Sequence, residues 1–158
     1  MNEKSMSESS KSAAAEAQEL ERSYKLAEIV RQRQRTLEVL SLKSGERVLD
    51  VGCGVGFLTH GMALKVGEAG QIIGIDKNPE MISHAQKRCE SLRQTGFHVG
   101  DAAQLPAENE TVDAVSCTQV LLYVTDVSKV IAEMMRVLKP GGRIVIVETD
   151  WRGVVLNS

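Results

Sequence analysis

The chain has 158 residues, 42% hydrophobic and 25% charged, which excludes a disordered chain and suits one domain with a single sizeable core. The formal net charge is −2, with seven basic and seven acidic side chains in the first 40 residues and 12 basic and 14 acidic in the rest, so neither part is a polyanion-binding surface by charge. Aromatic residues make up 3%, which also disfavours a base-stacking platform and leaves a small molecule, not a nucleic acid, as the expected ligand.

Residues 1–18, rich in Ser, Ala and Glu, read as a flexible tail, and residues 19–158 as a single domain. From about Glu19 to Leu40 the pattern turns helical, with Leu26, Val30, Leu37 and Leu40 on one face. Arg33 shares that face, so either the helix breaks near it, or its side chain snorkels to solvent, the favoured reading, or it reaches into a cleft. After the turn KSGE, the apolar run RVLDVG predicts a buried strand, FLTHGMALKVG a helix and QIIGID a second strand. In NPEMISHAQKRCESLRQTG, Asn78 is the expected N-cap, Pro79 the first helical position and Gly96 the stop. FHVGDA and TVDAVSCTQVL predict the third and fourth strands. DVSKVIAEMMRVLKPGG predicts a helix capped by Asp126 and stopped by Lys139-Pro140-Gly141-Gly142, and RIVIVETD a fifth strand. Strand–helix alternation of this kind means an α/β, doubly wound, mostly parallel sheet with helices on both faces.

No apolar run approaches the roughly 20 residues that span a bilayer, and no apolar signal region opens the chain, so a cytoplasmic location is expected. Cys53, Cys89 and Cys117 are widely spaced and form no CxxC, which predicts reduced thiols and no metal site.

The segment LDVGCGVGF closes the first strand. Gly52, Gly54 and Gly56 alternate there, two residues after Asp50, at the carboxyl end of a strand where such sheets bind ligands. Glycine permits positive φ and close approach of a ligand to the backbone. In the dinucleotide fingerprint G-x-G-x-x-G, counted from Gly52, the third glycine would stand where Phe57 is. That spacing argues against an NAD(P)-dependent oxidoreductase, and Asp50 suits a cation better than a pyrophosphate.

With these residues in place, the sequence resembles the class I S-adenosylmethionine-dependent methyltransferases over about residues 45–150, with a flavour of the quinone and sterol methyltransferases. LDVGCGVG is similar to their first motif, GIDKNPEMI to the end of their second strand, GDAAQLP to the loop after the third, and VDAVSCTQVLLYV and RVLKPGGRIVIVE to the following elements. The resemblance implies a Rossmann-like sheet of about five strands in the order 3-2-1-4-5, S-adenosylmethionine as cofactor, and methyl transfer to an O, N or C nucleophile of a small-molecule acceptor. A cofactor-binding or interaction module without catalysis is the alternative reading.

Carried over residue by residue, the resemblance places Asp50 near the methionine ammonium and the backbone of Gly52, Cys53 and Gly54 along the methionine, with Gly56 completing the motif. Asp76 takes the ribose hydroxyls, with Lys77 beside it. Met81 packs on the adenine, and Asp101 and Ala102 address its edge. Thr118 and Gln119 lie near the sulfonium, and Tyr24 closes over the cofactor. Glu148, Asp150 and Tyr123 are the candidates for a general base, where the acceptor needs one. Family members usually continue past the fifth strand with a helix and an antiparallel strand pair. Here the chain stops about eight residues beyond that strand, so a fold lacking the pair is expected, with an exposed edge open to a homodimer.

Overall fold

The structure, a computed structural model, describes Arg22 and residues 25–148. The expected tail at 1–18, Tyr24 and Asp150 lie outside the described residues. In chain order the elements are α1 (Ala27–Leu40), β1 (Arg47–Val51), α2 (Phe57–Val66), β2 (Gln71–Asp76), α3 (Pro79–Arg88), β3 (Thr95–Val99), β4 (Val112–Thr118), α4 (Val127–Val137) and β5 (Leu138–Val147). A single 3₁₀ turn, Leu121–Tyr123, sits between β4 and α4.

The five strands form one sheet in the order β3-β2-β1-β4-β5, and all four pairings are parallel. Strand period divides the core in two. Val48, Ile72 and Ala114 point to one face and are buried with Leu40 of α1 and Met62, Ala63 and Val66 of α2. Leu49, Val51, Ile73, Ile75, Val115 and Cys117 point to the other and pack with Val130, Met134 and Val137 of α4. The central strands are therefore buried on both sides, which is why they read as continuous apolar runs. The order reverses between β1 and β4, whose carboxyl ends lie side by side with Val51 opposite Cys117. That junction is the crevice where this architecture places ligands.

Two arginines fasten the outer layers. Arg143 of β5 donates from Nε to the Leu40 carbonyl, from Nη2 to the Ser41 carbonyl at 3.2 Å, and from Nη1 and Nη2 to the Glu46 carboxylate at 3.0 and 2.6 Å. These bonds satisfy carbonyls at the C-terminal end of α1, which has no basic residue in its last turn. The Arg143 hydrogen bond holds the Glu46 carboxyl below its ordinary pKa. Arg143→Met is expected to lower the unfolding free energy by about 2–3 kcal/mol in urea denaturation, because it leaves the Leu40 and Ser41 carbonyls without this donor and the half-buried Glu46 carboxylate with only the Lys43 N–H.

Arg136 of α4 binds Glu133 at 2.7 and 2.8 Å and donates to the carbonyls of Leu105 and Ala107, while Glu133 accepts from the Leu105 N–H at 2.9 Å. The pair pins the return from β3 to β4, with Leu105 buried as its plug. Residues 100–111 make that return without a helix, so one face of the sheet carries α1, α2 and α3 and the other carries α4 and this loop.

The N-caps form where expected: Asn78 accepts from the Glu80 N–H, with Pro79 at the first helical position, and Asp126 accepts from the Lys129 N–H. Boundaries differ in four places. Leu26 is not on a buried helix face; it is the N-cap of α1 and is 56% exposed. Gly96 does not stop α3, which ends at Arg88; two turns follow, and Gly96 pairs with Ile73 inside β3. β3 ends at Val99, and its half-exposed edge position weakens the apolar signal. Lys139 to Gly142 do not lie outside the strands but form an irregularity within β5, where the register jumps from Val112↔Leu138 to Ala114↔Arg143.

Candidate functional site

The glycine loop is stitched to the neighbouring strand. The N–H groups of Gly52 and Cys53 donate to the Ile75 carbonyl at 2.7 and 3.0 Å, and the Gly54 N–H donates to Asp76 Oδ2 at 2.9 Å. Gly52 has φ +72°, and a Cβ there would fall 2.1 Å from Val120 Cγ2. Gly56, the N-cap of α2, has φ +82°, and a Cβ there would fall 2.9 Å from both Cα and Cβ of Ala85. The neighbours that require glycine at these two positions are therefore the chain's own β4 turn and α3.

Asp50 is 1% exposed at the end of β1. Its Oδ2 accepts from Thr59 Oγ1 of α2 at 2.5 Å, and Ser116 stands opposite it on β4. Burial pushes its pKa up to about 6, against the pull of the Thr59 hydroxyl, with the Asp76 charge adding to the rise. Asp50 borders a cleft, open to solvent, that also meets Gln32 and Arg33 of α1, Phe57 of α2, Gly52 and Thr118. The Thr118 hydroxyl is buried with no hydrogen-bond partner among the described residues. Arg33 resolves the alternatives left by the sequence by reaching into this cleft, its guanidinium 4.8 Å from the Phe57 ring centre. Arg88 lies 3.5 Å from the same ring and donates from Nε to the Val55 carbonyl at 2.8 Å. Cys53 also borders the cleft, but burial first, and the Asp50 and Asp76 charges second, push its thiol pKa far up, which excludes an ionised nucleophile.

Asp76, half-buried at the end of β2, accepts from the Asn78 N–H through Oδ1 and from Gly54 through Oδ2, each at 2.9 Å. A carboxylate offers about four acceptor positions, so roughly two remain for a ligand. Lys77 beside it is exposed, and Met81 is half-buried in the first turn of α3. The Gly100 N–H donates to the Asp76 carbonyl at 3.0 Å, which ties the loop after β3 to this corner. Asp101 is exposed and closes a turn through Oδ1 to the Ala103 N–H at 2.8 Å, with Ala102 half-buried beside it.

At the end of β4, Gln119 adopts φ +56°, an uncommon conformation for a residue other than glycine, and its N–H donates to the Val147 carbonyl at 2.8 Å. Glu148 Oε1 accepts from the N–H groups of Val120 and Leu121 at 2.9 and 2.8 Å. Glu148 thus braces the turn that lies over Gly52. Tyr123 is 72% exposed and does not border the cleft. Among the described residues no group of three or more His, Cys, Asp or Glu is placed to hold a metal ion. Sequence reasoning missed Thr59 and Phe57. A threonine on the buried side of an otherwise apolar helix was the available signal for the first.

A parallel sheet ordered 3-2-1-4-5, an acidic-x-Gly-x-Gly-x-Gly loop at its reversal point and a carboxylate at the end of the next strand define the class I S-adenosylmethionine-dependent methyltransferase architecture. Residues 42–155 match the family model described as "Methyltransferase domain", and the chain belongs to that family. It is 37% identical over 120 residues to a demethylmenaquinone methyltransferase of Bacillus cereus, covering 75% of this chain and 51% of that one. Its fold matches a SAM dependent methyltransferase from Aquifex aeolicus with a TM-score of 0.68 and 28% identity, over 73% of this chain and 63% of that one. It also matches the [4+2]-cyclase SpnF with a TM-score of 0.69 and 33% identity, over 75% of this chain and 44% of that one. The chain spans 35–51% of the length of the curated relatives it matches first. S-adenosylmethionine is the cofactor of this class. Among the described residues no helix is long and apolar enough to cross a membrane.

Proposed function

We propose that this chain is the cofactor-binding domain of an S-adenosylmethionine-dependent methyltransferase that methylates an O, N or C nucleophile of a small molecule. The observation that carries this reading is the buried Asp50 carboxylate beside a cleft whose buried Thr118 hydroxyl has no partner among the described residues. A buried anion and an unpaired hydroxyl together call for a cationic ligand that can hydrogen-bond. Asp50 serves the methionine ammonium, the backbone from Gly52 to Gly54 lines the methionine, and Gly56 starts the helix beneath it. Asp76 takes the ribose hydroxyls with its remaining acceptor positions, Lys77 lies beside it, and Met81, Asp101 and Ala102 receive the adenine. Thr118 and Gln119 face the reacting end.

When bound, the cofactor supplies a methyl carbon already activated by sulfonium charge. The chain's own contribution is alignment and exclusion of water, an effect of roughly 7–11 kcal/mol in well-oriented reactions. A small-molecule acceptor rather than nucleic acid is supported by the net charge of −2. A reducing, cytoplasmic setting is supported by the buried free thiols of Cys53, Cys89 and Cys117. β5, at the edge of the sheet, offers a surface for a second copy.

Calorimetric titration of the chain with S-adenosylmethionine and, separately, NADH tests the reading. Saturable one-site binding of the first alone is expected. Asp76→Ala should weaken it by about 10- to 100-fold with the circular dichroism spectrum retained, because two charge-assisted hydrogen bonds are lost. An unchanged affinity would refute the ribose assignment. A second reading, cofactor binding without methyl transfer, draws on the likeness to the [4+2]-cyclase SpnF. Transfer of labelled methyl to a phenolic, quinol or sterol acceptor decides between the two.

A further inference from the structure

We propose that two copies of this chain pair through β3, antiparallel, across a two-fold axis that passes at Phe97. The inference does not rest on the cofactor reading. It places the second copy at the edge of the sheet opposite β5.

β3 is an edge strand whose main chain is open on one side. The Ile72 N–H donates to the Gln94 carbonyl and the Gly100 N–H to the Asp76 carbonyl, so residues 94, 96, 98 and 100 turn their polar groups toward β2. Phe97 and Val99 lie between them and turn theirs away from the sheet. The stretch TGFHV contains no proline or lysine to blunt the edge, and its register with β2 is unbroken. Two such edges meet antiparallel about an axis perpendicular to the sheet, which keeps α3 of both copies on one face. Directly opposite residues then share a face. An axis at Phe97 sets Val99 against Thr95 of the second copy, and His98 against Gly96 of the second copy.

On each face this register brings a projection to a recess. On the α3 face, Val99 is an apolar side chain that is 56% exposed. Thr95, which it meets, borders a hollow lined by the buried Cys89, by Leu92 and Phe97, and by Glu90 and Arg93. On the other face, His98 is exposed and Gly96 is bare. Gly96 has no positive φ, and a Cβ there would meet nothing within 4 Å. Among the described residues nothing requires glycine at 96, in contrast to Gly52 and Gly56. A glycine inside a strand marks a place that another chain approaches closely. Val99 enters the hollow and His98 takes the space over Gly96, each twice by symmetry. Phe97, which the axis sets against itself, is uncharged, so no like charges meet at the centre.

Sedimentation velocity of the full chain from about 1 μM to about 1 mM tests the pairing, with amide hydrogen exchange as the local readout. A reversible dimer is expected, with the Phe97 and Val99 amides gaining protection as concentration rises. Val99→Lys should weaken it about 10-fold or more, because each copy then presents a charge to the hollow of the other. Gly96→Val should weaken it by a similar factor while keeping or raising the melting temperature of the monomer, since a β-branched side chain suits a strand and meets no neighbour in its own chain. Ile146→Lys, at an exposed position of β5, should leave the dimer unchanged. Circular dichroism reports the fold of each variant, and should Val99→Lys unfold the chain, Gly96→Val decides by itself. A chain that stays monomeric at about 1 mM would overturn the proposal. So would a dimer that Val99→Lys and Gly96→Val both leave intact; its loss in Ile146→Lys would then place the second copy on β5.

Discussion

Asp50→Asn is expected to raise the unfolding free energy by about 2–3 kcal/mol at pH 7.5 while weakening S-adenosylmethionine more than about 100-fold. The Asp50 carboxyl is fully buried, and its pKa stands at about 6 against an ordinary 3.8. The folded state therefore holds this proton more tightly than the unfolded state. Below about pH 4 both states are protonated and the group adds no penalty. As pH rises from 4 through 6 the unfolded chain releases the proton first, and the folded state loses stability until the penalty is complete. Asparagine removes the charge, so its gain should be full at pH 7.5 and close to zero near pH 4. Urea denaturation at the two values measures the difference. Glu133, held down to about 2 by Arg136, works in the opposite sense and destabilises the fold only on acidification below its unfolded range. Binding follows the same titration from the other side. In the proposed site the ammonium needs the ionised carboxylate, so affinity should be level above pH 6 and fall up to about tenfold per unit below it. Unchanged affinity in Asp50→Asn would remove Asp50 from the cofactor site.

Gly56→Ala should lower the unfolding free energy by about 3 kcal/mol, and Gly45→Ala by only about 1 kcal/mol. Both glycines have positive φ, +82° at Gly56 and +85° at Gly45, so both substitutions carry the same conformational penalty. They differ in surroundings. A Cβ at Gly45 meets nothing within 4 Å, whereas one at Gly56 meets the Ala85 backbone at 2.9 Å. Backbone cannot rotate away, so α2 and α3 must separate. The difference between the two variants in urea denaturation isolates that contact. Equal losses would mean that α3 gives way freely and that Gly56 answers only to φ.

Much of the fold is legible locally. Apolar runs marked the strands, Asn78 and Asp126 marked the starts of α3 and α4, and the glycines after Asp50 marked the ligand-binding end of the sheet. These signals act within a few residues, through backbone sterics, capping and the side-chain period. Contacts between distant parts of the chain carry no such local mark. Gly96 has the chemistry of a helix stop, yet pairing with Ile73 draws it into β3. Gly56 belongs to a ligand motif by its spacing, yet Ala85 of α3 is what excludes its side chain. Glu148 has the chemistry of a base, yet it accepts two N–H groups from a turn 27 and 28 residues earlier. Thr59 joins Asp50, and Arg33 meets Phe57, only once α1 and α2 lie on the same face of the sheet. The sequence by itself determined the elements, the sheet type and the carboxylates at the strand ends, because each depends on neighbours along the chain. Only the tertiary structure decided which groups are buried, which are already engaged within the protein, and which still face the cleft, because those depend on what packing brings across from elsewhere.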